Sequence, residues 1–233
     1  MLSSQPTATL PAALLFDLDG TLIDSRAAVD RVWRRWARRH GLDPASVLPF
    51  VYGHRSGETV SHFAPHLDPI NEANLIDREQ ANDVQGVRAL PSAADVLHNL
   101  EPDRWAIVTS ATRELALARL RAAGLPTPVV MICADEVAAG KPAPDGYLTA
   151  ATRLSVAAAD CVVVEDTPSG VEAALAAGMA VVAITTTHSV AELESATRTV
   201  EALADLLPTL EQLLSPTAPP RCAPTVSAKH SSI

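Results

Sequence analysis

Short apolar runs alternate with amphipathic stretches along most of the chain. The runs around Leu14, Ile107, Val130, Val163 and Val182 are three to five residues long, and several are rich in β-branched residues, so they predict buried strands. Between them, helical spacing of apolar residues predicts helices near Ala93 to Leu100, Leu115 to Ala123, Tyr147 to Leu154 and Val171 to Ala177. Gly124 and Gly178 stand where two of these helices should stop. Strands and helices in strict alternation predict an α/β fold, a Rossmann-like three-layer core with a parallel sheet between helices. The pattern changes between Arg26 and Ala89, where no strand-like alternation occurs. There Val29, Trp33, Trp36 and His40 recur at i, i+4, i+7 and i+11, flanked mostly by Arg31, Arg34, Arg35, Arg38 and Arg39, and Gly41 closes the run. The expected organisation is a core from residues 1–25 and 90–214, a helical unit of residues 26–89 inserted after the first strand, and a tail. The tail, residues 215–233, carries Pro219-Pro220, Ser and Thr without apolar periodicity and reads as disordered.

The first strand leads into Phe16-Asp17-Leu18-Asp19-Gly20-Thr21. Residues i and i+2 at the end of a strand project the same way, so Asp17 and Asp19 should face one small volume. Paired buried carboxylates repel each other unless a cation or a shared proton relieves them. That arrangement suits phosphate ester chemistry. A phosphate dianion resists attack by an anion, and Mg²⁺ lowers that repulsion by binding a phosphate oxygen together with the attacking carboxylate. Asp17 is the candidate nucleophile, forming an aspartyl-phosphate. Asp19 is the candidate general acid and base, with its backbone carbonyl a candidate metal ligand, and Gly20 permits the bend.

Three further segments supply matching chemistry. Cys161-Val162-Val163-Val164-Glu165-Asp166-Thr167-Pro168 places acids at the end of a second buried strand, where open α/β sheets bind ligands. Asp166 is the candidate third Mg²⁺ ligand, with Glu165 a direct or water-bridged companion. The chain holds two lysines, Lys141 and Lys229, against sixteen arginines, and Lys141 lies in a loop stiffened by Pro142 and Pro144. A compact ammonium there can bridge Asp17 and a phosphate. Trp105 to Val108 ends in Thr109, Ser110 and Thr112 before a helix, a setting in which hydroxyls and free N–H groups bind phosphate oxygens.

In this order, the four segments resemble the haloacid dehalogenase superfamily of phosphohydrolases. The closest likeness is to the subfamily of small sugar and polyol phosphatases and β-phosphoglucomutase, and it runs from about Ala12 to Leu214. The resemblance implies Asp17 as nucleophile, Asp19 as acid/base, Thr109 or Ser110 as the phosphate-binding hydroxyl, Lys141 as the phosphate-bridging lysine, and Glu165 with Asp166 completing the Mg²⁺ site. It also implies that the insertion is an α-helical cap closing over the site. Its substrate-contacting loop falls at Val51 to Val60, so Gly53, His54 and Arg55 are candidate substrate contacts, joined from the core by Ala111 and Arg113. The reaction implied is hydrolysis of a small phosphorylated sugar or polyol. A sugar phosphomutase is the alternative, with Arg55 and Arg113 gripping a second phosphate, and a non-catalytic phosphate-binding protein is a third reading.

Composition narrows the setting. With 233 residues, 48% of them hydrophobic, the chain can bury a full core. A net charge of −9 argues against nucleic acid as partner. No run of about eighteen apolar residues predicts a membrane span, and the opening residues lack the features of a signal peptide. Cys133 and Cys161 fall in apolar runs and Cys222 in the tail, which predicts no disulfide framework and a reducing cytoplasm. A monomer is the expectation for a capped enzyme of this size.

Overall fold

A computed structural model describes residues 11–206, 208 and 209. The predicted tail at 215–233, with Lys229 and Cys222, lies outside the described residues. In chain order the elements are β1 (Ala13–Phe16), β2 (Ile23–Asp24), α1 (Arg26–Arg39), α2 (Pro44–Val51), α3 (Ser56–Phe63), α4 (Pro69–Asn82), β3 (Arg88–Ala89) and α5 (Ala93–His98). They continue with β4 (Trp105–Val108), α6 (Arg113–Ala123), β5 (Val130–Ile132), α7 (Asp145–Arg153), β6 (Cys161–Glu165), α8 (Pro168–Ala176), β7 (Ala180–Ile184) and β8 (Arg198–Val200).

Six strands form one parallel sheet in the order β5-β4-β1-β6-β7-β8. Leu14 of β1 lies opposite Trp105 on one side and Val162 on the other. Alternate residues of each strand feed two cores. Leu14, Phe16, Ile107, Val162 and Val164 pack with α5 and α6, whereas Leu15, Val108, Val163 and Val181 pack with α7 and α8. A sheet covered on both faces explains why its strands read as apolar runs rather than alternating ones. From β1 the chain builds outward through β4 and β5, then returns to build β6, β7 and β8 on the other side. The reversal falls between β1 and β6, the position at which such sheets open a crevice beyond their carboxyl ends.

The insertion folds as four helices around its own core of Val29, Trp33, Trp36, Val47, Val60 and Ile76, with other small apolar residues. Three of the described helices begin on the same device, an acceptor side chain followed by proline at the first helical position. Asp43 accepts from Ala45 N at 3.0 Å, Asp68 from Ile70 N at 3.0 Å, and Thr167 Oγ1 from Gly170 N at 3.1 Å. The arginine face of α1 turns to acids on and just past the end of α4: Arg39 meets Glu79 at 2.8 Å and Arg31 meets Asp83 at 2.6 Å. His40 falls just past the end of α1, its ring 5.1 Å from that of Trp36.

Two features go beyond the sequence pattern. Ile23–Asp24 and Arg88–Ala89 pair antiparallel where the chain leaves the core and returns to it, and Arg88 bonds Asp24 at 2.8 Å. Strands of two residues show no period to detect. β8 is a short edge strand reading Arg-Thr-Val, only one of whose residues is buried. Trp33 is 1% exposed at the centre of the helical insertion. Trp33→Ala should therefore lower stability by about 3–5 kcal/mol, read from denaturant unfolding.

Candidate active site

Asp17 begins where β1 stops, its N–H donating to Val164 O of the neighbouring strand at 3.0 Å. The loop after β5 brings Lys141 against it, with Nζ 2.5 Å from Asp17 Oδ1 and 2.5 Å from Glu165 Oε1. Asp166 follows at the end of β6. Oxygens of Asp17, Glu165 and Asp166 lie within 4.8 Å of one another, and all three residues are buried.

Charge in this space is unevenly satisfied. Both oxygens of Glu165 are engaged: Oε1 accepts from Lys141 and from Tyr147 OH at 2.9 Å, and Oε2 from Asp166 N at 2.8 Å, Thr167 N at 3.0 Å and Thr167 Oγ1 at 3.0 Å. Burial opposes its ionisation, but Lys141 and these backbone donors outweigh burial and hold its pKa below the usual range. Asp17 and Asp166 receive less. Burial pushes the Asp17 carboxyl well above its usual range against the pull of Lys141, and the neighbouring acids add to the rise. Burial and the charge of Glu165 push Asp166 up to about 7, although Thr187 and Thr21 donate to it, the latter at 3.1 Å. Lys141 is buried too, yet Asp17 and Glu165 more than offset its desolvation and hold it as the ammonium. Two under-compensated carboxylates beside a satisfied third leave a demand for positive charge, and an all-oxygen donor set suits a hard divalent cation. The residues present therefore fit a metal ion, which Asp17 and Asp166 could hold, while Glu165 is engaged by Lys141.

Asp19 stands differently. Its Oδ2 accepts from Arg119 Nη1 at 2.6 Å, and its Oδ1 is buried without a hydrogen-bond partner. Arg119, on α6, is 5% exposed and also donates from Nη2 to Gln80 Oε1 of α4 at 2.7 Å. The arginine thus joins the core's second acid to the helical insertion. No sequence signal set Arg119 apart, because its position on α6 is indistinguishable from that of an ordinary amphipathic arginine. Tyr147, which supports Glu165, was likewise legible only as an apolar position of its helix.

Asp17, Asp19, Lys141 and Asp166 line a single cleft between sheet and insertion, together with Thr109 and Ser110. Thr109 Oγ1 accepts from Ala111 N at 3.1 Å, and Ser110 Oγ is 3.4 Å from Gly53 O, so the loop after β4 meets the insertion here. Gly53, His54 and Ala111 also line the cleft, and the His54 ring stacks on Phe50 with centroids 4.1 Å apart. Two expected substrate contacts lie elsewhere. Arg113 donates to Met131 O at 2.6 Å and pairs with Glu136, which draws its guanidinium out of the cleft. Arg55 reaches across to Val137 O at 3.2 Å and lies against Gly140, so it ties the insertion to the Lys141 loop instead of lining the cleft.

A family model for haloacid dehalogenase-like hydrolases matches residues 11–178. The chain belongs to the haloacid dehalogenase-like hydrolases. Among curated relatives of this hydrolase, hexitol phosphatase A of Escherichia coli (strain K12) is 46% identical over 175 residues, covering 73% of this chain and 81% of the relative. The 2-deoxyglucose-6-phosphate phosphatase 2 of Saccharomyces cerevisiae is 32% identical over 196 residues, covering 75% and 80% respectively. A solved hydrolase from Pseudomonas syringae superposes with a TM-score of 0.75 at 26% identity, covering 87% of this chain and 99% of that one.

The close fit of the acids around glycine is open to test. Gly20 has φ of +92°, and a Cβ there would lie 2.1 Å from Asp166 Oδ2. In this hydrolase Gly20→Ala should displace Asp166 or the turn carrying Asp19. Turnover should fall by roughly 10²-fold or more for a shift of about 1 Å, while circular dichroism shows the fold retained.

Proposed function

We propose that this hydrolase is a Mg²⁺-dependent phosphatase that releases phosphate from a small phosphorylated sugar or polyol through an aspartyl-phosphate on Asp17. One observation carries the reading: Asp17 shares its buried pocket with Lys141 and Asp166 at the switch point of the sheet, and a second acid, Asp19, stands two residues away with one oxygen unpartnered. The named phosphatases among its relatives support the same class.

Each residue has a part. Asp17 attacks phosphorus, forming a carboxylate oxygen–phosphorus bond as the ester bond breaks, while Asp19 gives its proton to the departing alkoxide. Water then attacks the acyl phosphate, Asp19 takes its proton, and the bond to Asp17 breaks. Lys141, oriented by Glu165 and Tyr147, holds Asp17 and the phosphoryl oxygens. Thr109 and Ser110, with the N–H groups of their loop, hold the other phosphate oxygens. Asp17 and Asp166, with the carbonyl of Asp19, would hold the Mg²⁺. When bound, that ion offsets the negative charge of the phosphate and of the carboxylates. The helical insertion acts as the cap, excluding bulk water when it closes.

Hydrolysis is favoured over a mutase because neither Arg55 nor Arg113, the cations that would have gripped a second phosphate, lines the cleft: Arg113 pairs with Glu136, and Arg55 donates to Val137 O, its buried Nε keeping no protein partner. Cys133 and Cys161 are free and buried, which supports a reducing cytoplasm as the setting. Among the described residues no helix is long and apolar enough to cross a membrane. The net charge of −9 fits a metabolite partner rather than nucleic acid, and a monomer is part of the same reading.

Three measurements test the proposal. Asp17→Asn should lower phosphate release by roughly 10³-fold or more with an unchanged circular dichroism spectrum, and near-normal turnover would remove the covalent route. Asp19→Asn, given an aryl phosphate with a good leaving group, should accumulate phosphoenzyme and hydrolyse it about 10²–10⁴-fold more slowly. Unimpaired dephosphorylation would assign the base elsewhere. Chelation by EDTA should abolish phosphate release and added Mg²⁺ restore it; activity that persists in chelator contradicts the metal assignment.

A further inference from the structure

The cap presents no lysine or arginine to the cleft among the described residues; what it does present is an acid. Asp77, on α4, lines the cleft and accepts from Ser56 Oγ at 2.5 Å through Oδ1. Among the described residues its Oδ2 has no hydrogen-bond partner. Gln80 lies one turn further along α4, on the same face. Its Oε1 is taken by Arg119, which leaves the amide nitrogen without a protein partner. The cations nearest by sequence are engaged outside the cleft: Arg55 at Val137 O, and Arg26 at Thr186 O at 3.0 Å. Burial raises the pKa of Asp77, while Ser56 and the facing Arg119 favour its charged form.

An unpaired carboxylate oxygen and a free amide, on residues that line the same cleft as the proton-transfer acid, have a definite use. The alcohol part of a phosphate ester occupies that cleft, because Asp19 must reach the departing oxygen. We infer that Asp77, with Ser56 and Gln80, is the specificity element of the cap: the Asp77 carboxylate accepts hydrogen bonds from hydroxyls of the leaving polyol, the Gln80 amide donates to them, and the carboxylate turns away esters that carry a second anionic group at that end. This rests on the phosphatase reading above. The selectivity follows from two effects. A site built to bond a hydroxyl leaves its polar groups unpaired with an analogue that lacks one. A second phosphate brought near a carboxylate in a partly desolvated cleft meets like-charge repulsion, and the facing Arg119, already engaged by Asp19 and Gln80, is not free to offset it. Capping of α3 alone does not account for Asp77, since Ser56 uses only one of its oxygens.

The test compares a hexitol monophosphate with the corresponding hexitol bisphosphate, with p-nitrophenyl phosphate as reference. Wild-type enzyme should favour the monophosphate over the bisphosphate by about 100-fold in kcat/KM, and Asp77→Asn should narrow that ratio by about tenfold or more. Ser56→Ala should raise KM for the monophosphate about three- to tenfold with a smaller effect on kcat. A defect of folding or of general cleft shape would scale both esters alike, so an unchanged ratio in Asp77→Asn overturns the inference. Asp77→Glu keeps the charge and should keep the exclusion of the bisphosphate; loss of exclusion there also overturns it. The same comparison is made by calorimetry on Asp17→Asn, alone and combined with Asp77→Asn. Failure of wild-type enzyme to hydrolyse p-nitrophenyl phosphate would sink the phosphatase reading, whereas these binding ratios decide the role of Asp77 on their own.

Discussion

Three buried carboxylates, those of Asp17, Glu165 and Asp166, are packed within 4.8 Å of one another, and one ammonium, Lys141, touches two of them. Crowding of negative charge at that density is tolerated only if every available donor is brought to bear. Much of the surrounding structure can be understood as doing so. The N–H groups opening α8 and Thr167 are spent on Glu165, Tyr147 is buried to donate to it, and Thr21 and Thr187 converge on Asp166. Steric closeness follows from the same demand. A Cβ on Gly170 would fall 1.8 Å from Glu165 Oε1, so α8 can approach the acid only with glycine there.

Division of labour among the acids emerges from this arrangement. Glu165 is neutralised within the protein and becomes a scaffold for Lys141, while Asp17 and Asp166 retain a deficit that a cation and a phosphoryl group would meet. Asp19 is spared the crowding. It answers to Arg119, which also grips Gln80 of the cap, so the proton carrier and the substrate-covering helix share one buried guanidinium. The orientation of Asp19 is in this way referred to the position of α4.

Elements whose cause lies in local pattern were legible in the sequence. The five strands around Leu14, Ile107, Val130, Val163 and Val182, the helices between them, and the first cap helix follow from apolar spacing, and the acids at the ends of two strands announce their own site. Elements whose cause is tertiary were not. β2 and β3 are too short to carry a period, and β8 is a polar edge strand whose pairing is set by β7. Arg55 and Arg113 look alike in sequence, being cations beside a site motif. Their direction depends on Val137 O and Glu136, which sequence distance conceals. Arg119 and Asp77 were invisible for the converse reason: an Arg and an Asp on amphipathic helices look like surface residues until the helices are docked.

The chain passes between sheet and cap only twice, and the two crossings run side by side as β2 and β3, clasped by Asp24 and Arg88. The hydrophobic core of the four helices is made entirely of their own residues. Those helices are therefore a module with a core of its own on a two-strand tether, docked on the sheet's core through Ala28 and Ala81. Outside Gln80, which shares Arg119 with Asp19, mutational drift in the module can retune which alcohol is accepted while the acids that break the phosphate bond stay in place, so selectivity and chemistry can evolve at separate rates.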